Sequence, residues 1–125
     1  ERYRVHPVSV GGDRAYIESY VTGAANGAAE LLGFETRLDV GDISVHDEYV
    51  GEAYGIPTEA GLAALKLAGR TEGLILDPVY TSKALSALVD QVSQGQIGPE
   101  ETVVFVHTGG LAITFAYGEE IMSSM

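Results

Sequence analysis

The sequence predicts an α/β architecture, specifically part of an open, mostly parallel sheet with helices on its flanks. Residues 3–10 (YRVHPVSV) alternate in polarity and are rich in β-branched side chains, which is typical of a strand. Residues 102–106 (TVVFV) form a short apolar run, the pattern of a buried parallel strand. Helix-like patterns separate the two runs, and strands that alternate with helices favour parallel crossovers.

The first predicted helix covers residues 14–32. Asp13 precedes it and is expected to act as its N-cap, because an Asp side chain accepts hydrogen bonds from first-turn N–H groups. Gly33 follows it and suits the left-handed conformation that ends many helices. A further short strand is expected near residues 36–40.

An acidic loop comes next, in which His46, Asp47 and Glu48 are adjacent. All three residue types bind divalent metals, but neighbours in an extended loop point in different directions and no second cluster accompanies them. A solvated loop is therefore favoured over a metal site.

Two more helices are predicted, over residues 58–69 with Thr58 as N-cap and over residues 79–94. The loop of residues 49–57 contains Tyr54 between Ala53 and Gly55. A tyrosine in such a loop can be a buried structural residue, or it can reach a bound substrate.

Residues 74–83 (LILDPVYTSK) allow two interpretations. In the first, Asp77 and Pro78 start a helix and the hydroxyls of Thr81 and Ser82 face water. In the second, the side chains point at a ligand from a helix N-terminus, where N–H groups and the helix dipole favour an anion. The residues alone leave both open.

Residues 107–110 (HTGG) follow the second predicted strand and precede an apolar segment at residues 111–117. Open α/β sheets bind ligands at the carboxyl ends of their strands, so a polar residue before Gly-Gly is a candidate ligand site. Many strand–helix turns contain glycine and bind nothing. His107 by itself is expected to be a hydrogen-bonded structural residue.

Composition limits the class of protein. The 125 residues predict one domain, residues 1–125, and the net charge of −11 argues against nucleic acid and anionic membranes as partners. The chain has no cysteine, which suits a cytoplasmic location. It has no signal peptide and no apolar run of membrane-spanning length.

Three segments carry a resemblance to a known family: YVGEAYGIPTEAGLAALKLAGR, RTEGLILDPVYTSKALSALVD and ETVVFVHTGG. They resemble the C-terminal part of the D-cysteine desulfhydrase / 1-aminocyclopropane-1-carboxylate (ACC) deaminase family. These are pyridoxal 5′-phosphate (PLP) enzymes of the tryptophan synthase β-like fold, fold type II. The resemblance covers nearly the whole chain and is strongest over residues 49–108.

The resemblance implies a set of site residues. Tyr80 matches a tyrosine that stacks near the cofactor and the substrate, and Tyr54 matches a second active-site tyrosine, so both are expected to be catalytic. Thr108 matches a threonine that hydrogen-bonds the pyridine nitrogen. Gly109 and Gly110 are expected to bind the cofactor with Thr108 and Tyr80.

The resemblance also implies that the Schiff-base lysine and the phosphate loop lie upstream of Glu1. The chain has two lysines. Lys66 lies within a predicted helix, and Lys83 matches a family lysine that does not form the Schiff base. The chain is therefore expected to be a C-terminal fragment whose complete enzyme binds PLP.

Thr81 and Thr108 favour the desulfhydrase branch, because the deaminases have Glu after the first tyrosine and no threonine before Gly-Gly. The expected reaction is α,β-elimination from D-cysteine to pyruvate, sulfide and ammonia, by a full-length homodimer acting on a small amino acid. Ser82 stands where the family has glycine, and Leu111-Ala112 also depart from it. ACC deaminase, a related sulfur amino-acid lyase and a non-catalytic stand-alone binding domain remain alternatives.

Overall fold

The computed structural model describes residues 3–124, which contain four α-helices. These are α1 (Arg14–Leu31), α2 (Glu59–Thr71), α3 (Thr81–Ser93) and α4 (Gly118–Ser123). Two 3₁₀ helices cover Val40–Asp42 and Leu111–Tyr117. Helices α2 and α3 pack against each other and form the centre of the fold.

Small side chains let α2 and α3 approach closely. Ala64 and Ala68 of α2 and Ala87 of α3 are all buried. Gly61 lies where a Cβ would come within 2.8 Å of the Thr58 hydroxyl and 3.2 Å of the Ser82 hydroxyl. Glycine is therefore needed at this crossing point.

The predicted parallel sheet is not formed by residues 3–124, so the α/β prediction is wrong for this chain. The β-type pairing in this part of the chain is a single isolated parallel bridge between Val8 and His46. At this bridge the Ser9 N–H donates to the His46 carbonyl at 2.8 Å, and the His46 N–H donates to the Pro7 carbonyl at 2.9 Å.

The physical reason is that the predicted strands have no neighbours in register. Residues 102–106 accept and donate no backbone–backbone hydrogen bond within the described chain. Residues 3–8 and 102–106 instead line one cleft of about 920 Å³, together with a face of α3. A strand needs a partner about 4.8 Å away. Residues 36–40 likewise form no strand.

The helix predictions fare better. Asp13 accepts a hydrogen bond from the Tyr16 N–H at 2.8 Å, so the predicted cap of α1 is confirmed. The predicted cap of α2 is confirmed too, since the Thr58 hydroxyl accepts from the Gly61 N–H at 3.0 Å. Gly33 ends α1 with a φ of +72°, as predicted.

Large apolar side chains of the chain remain exposed. On α1, Tyr16 and Tyr20 are exposed, and Leu31 keeps 89% of its accessible surface. Val104 and Phe115 are exposed to a similar degree. Apolar surface of this extent is typical of a face that another protein surface covers.

The C-terminal segment has a buried side chain and a polar contact with α2. Ile121 of α4 is buried, and the Lys66 ammonium of α2 donates to the Ser124 carbonyl. None of the helices in residues 3–124 has the length and apolar character to cross a membrane.

A candidate site around Tyr54 and Tyr80

The carboxylate of Asp77 organises the start of α3. Its Oδ2 accepts from the N–H groups of Val79 at 2.8 Å and Tyr80 at 2.7 Å. Its Oδ1 accepts from the Thr81 N–H at 2.9 Å and from the Thr81 hydroxyl at 2.6 Å. Burial alone raises the pKa of Asp77, but these hydrogen bonds outweigh it and lower the pKa below its usual value.

This arrangement corrects both interpretations of residues 74–83. The N-cap position of α3 is Tyr80 and not Asp77, and α3 begins at Thr81, two residues later than predicted. The Asp77 carboxylate instead accepts from the N–H groups of the turn that leads into α3. Thr81 and Ser82 are buried and do not face water. An anion cannot bind the N–H groups of residues 79–81, because Asp77 already occupies them.

Tyr80 and Tyr54 meet through their hydroxyls. The two groups form a hydrogen bond, and the ring centroids lie 6.0 Å apart with an angle of 59° between the planes. The hydrogen bond to Tyr54, followed by desolvation and nearby negative charge, raises the pKa of Tyr80. The structure thus brings together two residues that the sequence predicted for one site from positions 26 residues apart.

Close backbone approaches position Tyr54 within its loop. A Cβ at Gly11 would lie 2.7 Å from the Tyr54 ring, so the Gly11-Gly12 turn packs directly on the tyrosine. Gly51 has a φ of +74°, and a Cβ there would lie 2.3 Å from the Thr58 methyl group. Replacing either glycine would displace the loop.

Tyr117 is a site residue that sequence reasoning missed. Its hydroxyl donates to the Gly55 carbonyl at 2.7 Å, directly after Tyr54 in the chain. The sequence placed Tyr117 at the end of an apolar segment and gave no signal of this contact, which joins positions 62 residues apart.

Lys83 also contacts the loop that carries Tyr54. Its side chain is fully buried, and the ammonium donates to the carbonyls of Val50 at 2.7 Å and Ala53 at 3.3 Å. Burial lowers the pKa of Lys83. Both lysines of the chain are therefore engaged with backbone carbonyls, Lys66 with Ser124 and Lys83 with this loop.

The Gly109-Gly110 turn lies against the start of α3. Gly110 has a φ of +96°, and a Cβ there would lie 2.5 Å from Asp77 Oδ1 and 3.1 Å from the Tyr80 ring. Only glycine fits this contact. The turn thus brings residues 108–110 next to Tyr80.

Thr108 and His107 differ in their partners. His107 Nε2 lies 3.1 Å from the Ile75 carbonyl, and its Nδ1 accepts from the Gly109 N–H at 3.3 Å. His107 is thus hydrogen-bonded within the fold, as predicted. Thr108 is exposed and lines the cleft with Tyr80, and its hydroxyl has no hydrogen-bond partner among residues 3–124.

The acidic loop forms local pairs. His46 Nδ1 contacts Glu48 at 3.0 Å, while Asp47 accepts from the Arg14 N–H at 2.9 Å. His46 Nε2 also lies 3.4 Å from His6 Nδ1. Over residues 3–124 no three His, Cys, Asp or Glu side chains are grouped as a metal ion requires.

Comparison with known proteins identifies the family to which the chain belongs. Residues 4–109 match the pyridoxal-phosphate dependent enzyme family, and the chain belongs to that family.

Within this family, the chain is similar to D-cysteine desulfhydrases of two bacteria. The chain is 47% identical over 76 residues to D-cysteine desulfhydrase of Klebsiella pneumoniae (strain 342) and 45% identical over 76 residues to that of Salmonella typhi. Each match covers 61% of this chain and 23% of the relative, so the chain matches about a quarter of the length of these proteins.

The chain is also similar in structure to a solved protein. The crystal structure of an ACC deaminase homologue superposes with a TM-score of 0.81 at 36% identity. The match covers 94% of this chain and 34% of that one. The family resemblance, which covers nearly the whole chain and is strongest over residues 49–108, is therefore confirmed.

Proposed function

We propose that this chain forms part of a PLP-dependent lyase that acts on a small amino acid, by α,β-elimination of the D-cysteine desulfhydrase type. The observation that carries the proposal is the Tyr54–Tyr80 hydroxyl pair beside the Gly109-Gly110 turn and the exposed hydroxyl of Thr108. Relatives named D-cysteine desulfhydrase support the choice of reaction.

The residues present fit the ring side of the cofactor. Thr108 would offer its exposed hydroxyl to the pyridine nitrogen, and Tyr80 would offer an aromatic face. Gly109 has open space where a Cβ would stand, and Gly110 would keep this turn packed against Tyr80. When bound, PLP supplies an electron sink, and a neutral hydroxyl partner does not require a protonated pyridine nitrogen. The covalent link and the phosphate contacts are assigned to another part of the complete enzyme, since Lys66 and Lys83 are engaged elsewhere.

The two tyrosines serve the substrate. Tyr80, whose hydroxyl is hydrogen-bonded to that of Tyr54, acts as a hydrogen-bond or proton donor to the substrate. Tyr54 shares the hydroxyl contact and can pass a proton to Tyr80 or orient the substrate.

The complete enzyme is proposed to be a cytoplasmic homodimer.

ACC deaminase activity is the second candidate, favoured by the structural neighbour. The residue after Tyr80 distinguishes the deaminase reaction from the desulfhydrase reaction. Thr81 is buried and donates its hydroxyl to Asp77, so it does not reach a ligand as an exposed carboxylate at this position could. This contact favours the desulfhydrase reaction.

The proposal is tested on the complete enzyme that contains this chain. Incubated with D-cysteine, it is expected to bind PLP and release pyruvate and sulfide, and to release far less ammonia from ACC. L-Cysteine serves as the matched stereochemical control. Faster turnover of ACC would replace the first candidate with the second. Absence of bound PLP would favour a non-catalytic binding domain.

A further inference from the structure

Lys83 bears a charge whose burial the packing of the fold does not explain. Its side chain is fully buried in the first turn of α3, and no ion pair within residues 3–124 includes it. A buried ammonium without a carboxylate is costly, and an apolar side chain of similar length would fill the space at lower cost. The lysine is therefore expected to serve something other than stability.

The two partners of Lys83 lie in one loop. The carbonyls of Val50 and Ala53 flank the turn at Gly51, and Ala53 directly precedes Tyr54. The ammonium, with several N–H donors, can satisfy both carbonyls at once. An apolar side chain at position 83 would leave them without this donor.

Helix α3 connects this loop to the second tyrosine. Tyr80 is the residue before the first turn of α3, and Lys83 lies within that turn. One helix end therefore carries both Tyr80 and the ammonium that anchors the Tyr54 loop. The Tyr117–Gly55 contact fixes the loop on the far side of Tyr54.

We propose that Lys83 is a positioning residue that holds the Tyr54 loop against α3, and so sets the hydroxyl contact between Tyr54 and Tyr80. The effect of this contact on catalysis rests on the proposed function.

The geometric part is tested without cofactor or activity. In the complete enzyme that contains this chain, freed of cofactor, 3-fluorotyrosine is placed at position 80 and its ionisation is followed by fluorine NMR. Lys83→Met is expected to lower the pKa of this phenol, because the hydrogen bond to Tyr54 raises it. Tyr54→Phe is expected to lower it by the same amount, and adding Lys83→Met to Tyr54→Phe to change nothing further. Lys66→Met is the control, since Lys66 contacts Ser124 and not the loop.

Thermal unfolding shows whether each Lys83 variant is folded, and Lys83→Gln provides a second variant in case Lys83→Met does not fold. Glutamine keeps a donor on a shorter side chain, so a folded Gln variant is expected to lower the phenol pKa as Met does. An unchanged pKa in a folded Lys83 variant, or additive effects with Tyr54→Phe, would overturn the proposal.

The catalytic part uses the complete enzyme. Lys83→Met is expected to reduce kcat by roughly tenfold or more, as displacing a positioned group does, and to have no further effect in a Tyr54→Phe background. If the wild-type enzyme shows no lyase activity, the proposed function fails while the NMR result still decides the role of Lys83. Equal losses in both backgrounds would mean that Lys83 does not act through Tyr54.

Discussion

Ser82 and Lys83, adjacent residues in the first turn of α3, are both fully buried but differ in their hydrogen bonding. The ammonium of Lys83 reaches two carbonyls, whereas the hydroxyl of Ser82 has no hydrogen-bond partner within residues 3–124. An unpaired buried hydroxyl costs on the order of 1–3 kcal/mol. The resemblance implies glycine at position 82, so the hydroxyl of Ser82 departs from that expectation and has a measurable consequence.

Replacing Ser82 by alanine is expected to stabilise the chain. The change removes the unpaired hydroxyl and leaves a Cβ that the site already accommodates, so the free energy of unfolding should rise by about 1 kcal/mol. Urea unfolding followed by circular dichroism measures this.

Ser86→Ala is the matched control, because the Ser86 hydroxyl is also buried but donates to the Lys83 carbonyl at 2.7 Å. It is expected to be neutral or destabilising. A loss of stability in Ser82→Ala would mean that the hydroxyl is satisfied in solution.

At the scale of elements, Asp77 orders the turn that leads into α3. A carboxylate that accepts four hydrogen bonds is stabilised in its charged form, which is why its pKa is lowered. A group whose folded pKa lies below its unfolded value stabilises the fold above the unfolded pKa. That contribution is lost as the pH falls through the folded pKa.

Asp77→Asn is expected to reduce the free energy of unfolding at pH 7 by about 1–3 kcal/mol, because the amide replaces one acceptor oxygen with a donor. The difference from the wild type should shrink below about pH 4, where Asp77 of the unfolded wild type begins to take up protons while the folded carboxylate still resists protonation. Urea unfolding across pH 3–7 measures both effects.

Asp13→Asn provides the control at the exposed cap of α1, where Asn and Asp are nearly equivalent caps and a change of only a few tenths of a kcal/mol is expected. A difference between Asp77→Asn and the wild type that stays constant down to pH 3 would contradict the account of Asp77.

Local signals predicted the elements well. The caps Asp13 and Thr58 and the terminator Gly33 could be predicted because each acts on N–H groups or backbone angles a few residues away. The start of α3 was misplaced by two residues, because Asp77 accepts from the backbone beyond Pro78 before helical geometry begins.

At the scale of the whole molecule, the prediction of a sheet failed for a non-local reason. The apolar runs at residues 3–10 and 102–106 have strand-like composition, but a strand forms only where a partner lies in register, and composition does not encode the partner. The two runs line a cleft instead of pairing.

The site was predicted unevenly for the same reason. The resemblance indicated Tyr54, Tyr80 and Thr108, and the structure brings the two tyrosines into contact. Tyr117 was missed because its contact with Gly55 spans 62 residues and leaves no local pattern. Long-range contacts of this kind become visible only in the folded chain.

The central claim is that the Tyr54–Tyr80 pair serves a PLP-dependent lyase, and the rate of pyruvate release from D-cysteine by the complete enzyme tests it most directly. Tyr80→Phe removes one hydroxyl of the pair and is expected to lower kcat by 10²-fold or more, in the range of lost acid–base catalysis. Tyr20→Phe, at an exposed tyrosine of α1, is expected to leave kcat unchanged. Equal rates for the Tyr80→Phe variant and the wild type would contradict the claim.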